Sequence, residues 1–325
     1  MVSNISRRIA LGGLAGSFAL AAAPALAADK LRVGKSVAEN FGNVPVDVGM
    51  EAGIFEKLGL AIEVLNFTGG SKVTQALTAG AVDIALSGGP EMAFIAKGAP
   101  EIAIGTISES PIFMGLVVGN PTTVRTVDDL KGKPVGIASP ASVTNWAVDE
   151  LSRQKGWTDA HDRAVPVVIG GSTAAVIAAL KTGQVVASMS ATQAGYLLEA
   201  QNEGRLLIDC SQYVGTFELF TIFASTAITK QNPDAVRRFL KGWYAAVDYM
   251  KSHKDETVRI ASRVTNYPPD VMARSYDAFM PAFSTNGRWD PKALEALRTS
   301  FVQLKLLNEP IDMSKFYTEQ FLPAA

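Results

Sequence analysis

The residue types that could do chemistry in this sequence are mostly hydroxyls and glycines, and they sit directly behind short apolar runs. Lys35-Ser36 ends the run 31–36, Thr68-Gly69-Gly70-Ser71 follows 61–67, and Ser87-Gly88-Gly89 follows 82–86. Further along, the stretches 139–144, 170–173 and 190–192 stand in the same relation to runs 134–138, 165–169 and 185–189. Hydroxyl donors beside helix-start N–H groups suit an oxyanion or another strong hydrogen-bond acceptor. They do not assemble an acid, a base and a nucleophile. The candidate ligand-binding residues are therefore Lys35, Ser36, Phe41, Gly70, Ser71, Ser87, Gly88, Ser139, Ser142, Thr144, Ser172, Ser190, Thr192 and Phe217. Lys35 would add a full positive charge. Phe41 and Phe217, with Trp146 and Tyr196, would supply apolar walls. Ser71, Ser142 and Ser172 read equally well as plain helix caps. Glu39, Glu109 and Glu218 lie near the same edges, where one of them could accept from an amine or a ring N–H instead.

No catalytic residue, metal ligand or cofactor is expected. Ala85-Leu-Ser-Gly-Gly89 approaches the G-x-S-x-G nucleophile elbow but lacks its first glycine. The two histidines, His161 and His253, are far apart in sequence. Neither G-x-x-x-x-G-K-[ST] nor G-x-G-x-x-G occurs. The single cysteine, Cys210, excludes an intrachain disulfide and a cysteine metal cluster. These absences lead to the expectation of binding without catalysis.

The elements that must position these residues alternate. Runs 31–36, 61–67, 82–86, 99–106 and 115–118 read as strands, with helices over 46–58 and 71–79. A second series places strands at 134–138, 165–169, 185–189 and 206–209, with helices from 139–144 to 155 and from 172 to 182. Strand–helix alternation implies a mostly parallel sheet covered on both faces. The two series echo one another. Gly69-Gly70-Ser71 and Gly170-Gly171-Ser172 each open a helix stopped by a glycine, Gly80 or Gly183. Each stop leads through an apolar strand to a serine, Ser87 or Ser190, the second helix being longer by two residues. The remainder is helical. Asn232-Pro233 and Asp290-Pro291 pair an N-cap with a first-turn proline, each starting a helix of about 18 residues, and Pro268-Pro269 opens another. Val236, Phe239, Leu240, Trp243 and Val247 form one apolar face, and Leu294, Leu297, Phe301, Leu304 and Leu307 a second. Both faces are expected in the core.

The chain has 325 residues, 48% hydrophobic and 19% charged, with 30 basic and 31 acidic side chains. This composition forms a core, and with no basic surplus there is no footprint for nucleic acid. Residues 1–27 read as an export signal: Arg7-Arg8, an uncharged stretch 9–23, then Ala25-Leu26-Ala27 as a small-x-small cleavage site. Ser6-Arg7-Arg8 is a twin-arginine pattern, departed from at Ala10. No cysteine follows the site to carry a lipid anchor. A periplasmic location is expected.

The run Val48-Gly-Met-Glu-Ala-Gly-Ile-Phe-Glu-Lys-Leu-Gly-Leu60 resembles a signature of type II periplasmic solute-binding proteins, in the branch for nitrate, aliphatic sulfonates, taurine and thiamine-precursor pyrimidines. The resemblance continues, in order, through Ala79-Gly-Ala-Val-Asp-Ile-Ala85, Ala96-Lys-Gly-Ala-Pro100 and Asp129-Leu-Lys-Gly-Lys-Pro-Val-Gly136. Val186 departs from it, standing where the family often repeats the acid seen at Asp83. The resemblance implies an α/β fold of two lobes, with mostly parallel sheets, flanking helices and two hinge crossovers. Lobe one would be 28–118 plus 219–325 and lobe two 119–218, with crossovers near 116–122 and 214–219. It further implies a monomeric substrate-binding protein of an ABC importer. Such a protein captures a small anionic or polar organic solute and is met by a membrane permease with its ATPase. A periplasmic sensor without transport is the alternative. A pyrimidine-precursor synthase of the same fold is a further one, and it would call for a cysteine-rich iron motif that one cysteine does not supply.

Overall fold

The computed structural model describes residues 28–324 apart from Pro121 and Ala141, so the expected export signal lies outside the described residues. The first lobe begins with β1 (Asp29–Lys35), α1 (Val44–Glu51), α2 (Ile54–Lys57), β2 (Leu60–Asn66) and α3 (Gly70–Thr78). It continues through β3 (Ile84–Gly88), α4 (Met92–Ala96) and β4 (Glu101–Ser108). The second lobe holds β5 (Met114–Gly119), β6 (Pro134–Ile137), α5 (Val143–Gln154) and β7 (Val165–Val168). It is completed by α6 (Thr173–Lys181), β8 (Ala187–Ala191), α7 (Thr192–Ala200) and β9 (Gly204–Asp209). The chain then returns through β10 (Phe220–Ser225) to α8 (Thr226–Gln231), α9 (Pro233–Ser252) and α10 (Lys254–Thr265). It ends with α11 (Pro269–Phe279) and α12 (Pro291–Gln303).

The two sheets share one plan. Their strand orders are β2-β1-β3-β10-β4 and β7-β6-β8-β5-β9. In each, four strands share a direction and one is reversed: β10 runs antiparallel to β3 and β4, and β5 antiparallel to β8 and β9. The reversed strand is the one that arrives from the other lobe. It enters at the edge where the carboxyl ends of its neighbours lie, so it must run against them. The two-lobed α/β class stands as expected from the sequence, each sheet mostly parallel with one reversed strand.

The lobe boundary falls earlier than the sequence suggests. Gly115–Val118 lies inside β5, paired with β8 and β9 in the second sheet, so the chain changes lobes over 109–113 rather than 116–122. Every residue of β5 is buried, so its pattern does not reveal which sheet it joins. The return path, 210–219, lies between β9 and β10. The two crossovers run side by side: Phe217 N donates to Glu109 O and Leu219 N to Ser108 O, both at 3.0 Å.

The internal echo is structural. α3 and α6 both span nine residues, so the two extra residues lie in the loop ahead of α6, where Gly170 takes φ +93°. Asp83 anchors the turn before β3 by accepting from Arg32 N at 2.9 Å, Nε at 3.0 Å and NH2 at 2.7 Å. At the corresponding place in lobe two, Val186 has no carboxylate to offer: its N–H donates to Pro134 O at 3.0 Å and its carbonyl accepts from Thr122 Oγ1 at 3.4 Å. The C-terminal helices complete lobe one. Asn232 Oδ1 caps α9 from Ala235 N at 3.1 Å, and Phe239 stacks on Phe55 at 5.5 Å. Leu297 and Phe301 of α12 are fully buried, while α12 stops at Gln303, short of the expected length. Among the described residues no helix is long and apolar enough to cross a membrane.

Candidate functional site

Between the lobes, at the carboxyl ends of the codirectional strands, lies a cleft with about 590 Å³ of space between its atoms, including its open mouth. Lobe one contributes Ser36, Val37, Asn40, Gly69, Gly70, Gly88, Glu91 and Phe220. Lobe two contributes Met114, Ala138, Ser142, Val143, Thr144, Gly170, Gly171 and the strand end Met189-Ser190-Ala191. Six of the residues expected from the sequence line it: Ser36, Gly70, Gly88, Ser142, Thr144 and Ser190.

Two more stand just behind the wall. Ser87 is buried, and its Oγ lies about one contact from where a Cβ on Gly70 would be. Ser139 Oγ holds the same relation to Gly69. Neither hydroxyl has a hydrogen-bond partner among the described residues, and neither has Ser190 Oγ.

The other candidates are engaged elsewhere. Lys35, 3% exposed, is ion-paired with Asp47 and ties β1 to α1 instead of facing the cleft. Phe41 is fully buried against Phe279 and Phe283, with ring centroids 5.7 and 6.1 Å away. Phe217 is fully buried and stacked on Trp146 at 3.7 Å, and Tyr196 lies under the Arg274 guanidinium at 3.8 Å. The aromatic ring that lines the cleft is Phe220, on the reversed strand. Ser71 faces a separate groove with Gln75, Pro140 and Leu306. Ser172 Oγ caps α6, accepting from Ala175 N at 3.3 Å. Thr192 Oγ1 donates to Ile112 O at 2.7 Å, fixing α7 to the first crossover. Ser142 is both lining and cap: its Oγ donates to Ser139 O at 2.7 Å, accepts from Asn145 N at 3.4 Å and meets Thr144 Oγ1 at 2.8 Å.

The residue that the sequence reading overlooked is Glu91. It follows the turn Gly88-Gly89-Pro90, is 2% exposed, and its Oε2 has no hydrogen-bond partner among the described residues. Burial pushes its carboxyl up to about 8, with Glu101 nearby adding to the rise. A Cβ at Gly70 would overlap Oε1, and one at Gly88 would come within 2.8 Å of Oε2, so both glycines are shaped by this carboxyl. An acid one proline beyond a Ser-Gly-Gly strand end is the signal that could have found it. Among the described residues no lysine or arginine lines the cleft.

Of the acids weighed from the sequence, none lines the cleft. Glu39 Oε2 accepts from Thr173 N across the lobes at 2.7 Å. Glu109 Oε1 accepts from Asp290 N at 2.8 Å. Glu218, fully buried in the second crossover, accepts from Thr221 Oγ1 at 2.8 Å and is raised well above the usual carboxyl range by burial. Other bridges hold the lobes together: Trp146 Nε1 donates to Gln303 Oε1 at 2.8 Å, and Arg274 NH1 to Glu199 Oε2 at 2.6 Å. Among the described residues no group of three or more His, Cys, Asp or Glu side chains is placed to hold a metal ion.

Residues 40–257 match a family model described as NMT1/THI5 like. Over 225 residues the chain is 28% identical to 4-amino-5-hydroxymethyl-2-methylpyrimidine phosphate synthase of Candida albicans (strain WO-1), covering 66% of this chain and 65% of that protein. The chain thus matches slightly less than two thirds of this relative's length. It is 26% identical over 263 residues to the putative binding protein YtlA of Bacillus subtilis (strain 168), covering 78% of each. The crystal structure of the periplasmic aliphatic sulphonate binding protein SsuA from Escherichia coli superposes with a TM-score of 0.72 at 18% identity, covering 89% of this chain and 92% of that one. This likeness shows the periplasmic binding protein fold. The expectation that the chain is no enzyme is corrected here, because relatives at 22–28% identity are named as phosphate synthases. That expectation rested on missing motifs, and missing motifs do not exclude a chemistry carried by other residues.

Proposed function

The chain belongs to the NMT1/THI5-like family, and from that premise we propose that it captures a small polar solute between two lobes that close about paired crossovers. The observation that carries this reading is the set of buried polar atoms left without partners around one cleft. Ser87 Oγ and Glu91 Oε2 come from lobe one, Ser139 Oγ and Ser190 Oγ from lobe two. A buried polar group without a partner costs roughly 1–3 kcal/mol. A solute that reaches groups of both lobes recovers that cost only when the lobes are together, which couples binding to closure.

We further infer a role outside the cytoplasm, delivering the solute to a membrane permease with its ATPase. The fold shared with a periplasmic sulphonate-binding protein and the relative named a binding protein support this reading. The names of the synthase relatives favour a second reading, in which the solute is a pyrimidine precursor that the cleft also converts.

One experiment addresses both. A thermal-shift screen over sulfonates, nitrate, carboxylates and 4-amino-5-hydroxymethyl-2-methylpyrimidine is followed by chromatography of any hit after long incubation. Ligand at 100 times Kd stabilises by about 2.7 kcal/mol, or several degrees in a protein this size. A hit recovered unchanged supports capture, and a hit converted supports the second reading. The absence of any hit contradicts both.

A further inference from the structure

The second crossover and the cleft wall meet along one seam. The turn Gly88-Gly89-Pro90, which carries Glu91, lies against the end of the crossover. Gly89 N donates to Leu219 O at 3.1 Å, and a Cβ on Gly89 would come within 2.0 Å of Glu218 O. The φ of Gly89 is not left-handed, so close approach alone reserves this position for glycine. Gly89 does not line the cleft, whereas Gly88 before it and Glu91 after it do.

A second connection runs through side chains. Ser87, Thr221 and Thr106 are register partners across β3, β10 and β4, so their hydroxyls share one face. All three are buried. At one end a Cβ on Gly70 would overlap Glu91 Oε1 and lie 3.0 Å from Ser87 Oγ, so carboxyl and hydroxyl converge on one point. Towards the other end, Thr221 Oγ1 donates to Glu218 Oε1 at 2.8 Å, and the Thr106 hydroxyl opposes the rise that burial causes in this carboxyl. Glu218 N also donates to Ala293 O of α12 at 3.4 Å, which fastens the end of the crossover to lobe one. Glu91 Oε2, Ser87 Oγ, Thr106 Oγ1 and Glu218 Oε2 have no hydrogen-bond partner among the described residues. Burial raises both carboxyls, Glu91 to about 8, and so favours forms that donate as well as accept. With spare donors and acceptors at both ends, the row has more than one hydrogen-bonded arrangement.

We propose that Glu218 is a positioning residue for solute capture: it ties the end of the second crossover to the hydroxyl row and thereby sets the Glu91 carboxyl in the cleft without touching the solute. This rests on the cleft being a solute site, and it adds the residue through which hinge and cleft act on each other. A rearrangement of the crossover on closure moves Glu218 and Leu219, and the Gly89 contact and the Thr221–Ser87 row carry that movement to Glu91. By reciprocity, a solute that fixes Glu91 favours one arrangement of the crossover.

The test uses the whole protein. Nitrate, methanesulfonate, acetate and 4-amino-5-hydroxymethyl-2-methylpyrimidine are titrated into wild type, and the tightest of the four serves as probe. Its affinity is then measured for Glu218→Gln, Thr221→Val, Glu91→Gln, the Glu91→Gln Glu218→Gln double variant and Thr257→Val. Thr257, on α10, is the control: it is fully buried with a partner-free hydroxyl but stands outside the row. Trp146, stacked on Phe217 next to Glu218, reports the crossover by its fluorescence, isolated by subtracting the Trp146→Phe protein. Glu218→Gln and Thr221→Val should each weaken the probe at least fivefold and alter the Trp146 response to it, while Thr257→Val binds as wild type does. The double variant should lose less affinity than the product of its two single losses, because both residues act through one row. Normal affinity in Glu218→Gln or in Thr221→Val, fully multiplicative losses in the double variant, or an equal loss in Thr257→Val overturns the proposal while solute capture stands. If no probe binds wild type, capture falls and the proposal with it. Should Glu218→Gln fail to fold, Thr221→Val decides, since valine keeps the shape of threonine and loses only the hydroxyl.

Discussion

Glu39 and Thr173 join the two lobes as a helix cap: the carboxylate of a lobe-one loop accepts from the first backbone N–H of α6 in lobe two, at 2.7 Å. The Thr173 hydroxyl reaches the same carboxylate and also meets the Tyr267 hydroxyl, while the Gln193 side chain donates to the Glu39 carbonyl. A cap supplied from another lobe exists only when the lobes are closed. Loss of a side-chain cap costs about 0.5–2 kcal/mol. Glu39→Ala should therefore shift the ligand-free protein towards an open form, read as a larger radius of gyration in small-angle scattering. Identical scattering from Glu39→Ala and wild type would show that this contact does not hold the lobes together.

Stability should fall as pH rises from about 5 to 8. Glu91 and Glu101 are each raised from 4.5 to about 8 in the folded protein, mainly by burial. Between those values the folded state keeps protons that the unfolded state has released, so the folded state binds more protons and stability decreases with pH. Above about 8 this contribution is flat. Because one pKa unit corresponds to about 1.4 kcal/mol, the melting temperature at pH 8.5 should be lower than at pH 5.5 by at least several degrees. Glu91→Gln should flatten part of that slope. A melting temperature that rises across this range would contradict the burial argument.

Phe217 separates packing from binding. Its ring is fully buried and stacked on Trp146, so Phe217→Ala should cost about 3–5 kcal/mol of stability and red-shift Trp146 fluorescence in the ligand-free state. Affinity, measured below the melting transition, should change little. A variant of normal stability that loses only affinity would return Phe217 to the cleft wall.

The caps can be tested in the same way. Ser142 Oγ is tied to Ser139 O, Thr144 Oγ1 and Asn145 N, so Ser142→Ala should cost about 0.5–2 kcal/mol without ligand. Ser71 lines a different groove, and Ser71→Ala should leave affinity for a cleft ligand unchanged. A tenfold loss of affinity in Ser71→Ala would mean that the groove and the cleft act together.

Much of this arrangement can be read from residues alone. Strand ends carrying serine and glycine mark the cleft edge because a strand stopping at a glycine turn must present its last residues there. This located Ser36, Gly70, Gly88, Ser142, Thr144 and Ser190. Side-chain direction is harder to read. Lys35 ends β1 as a rim lysine would, but the Asp47 that neutralises it lies a helix away in sequence and is brought close only by the fold. Phe41 and Phe217 have the composition of cleft walls and of core equally, and burial decides for core. Glu91 escaped because a single acid after a glycine turn resembles a solvated surface residue. What makes it a candidate site residue is enclosure by Gly70 and Gly88, which composition does not display. The misplaced first crossover has the same origin, since the residues of β5 are apolar in whichever sheet they join.

Gly70→Ala tests the central claim, that the cleft between the lobes is the binding site, most directly. The added methyl would occupy the position of the Glu91 carboxyl and disturb the cleft at its centre, while the first turn of α3 accepts alanine readily. Wild type and Gly70→Ala are screened side by side by thermal shift against the same panel of small polar solutes. At least one solute should stabilise wild type by several degrees and leave Gly70→Ala unshifted, with both ligand-free proteins melting cooperatively. A solute that stabilises the two proteins equally would place binding outside the cleft and contradict the account.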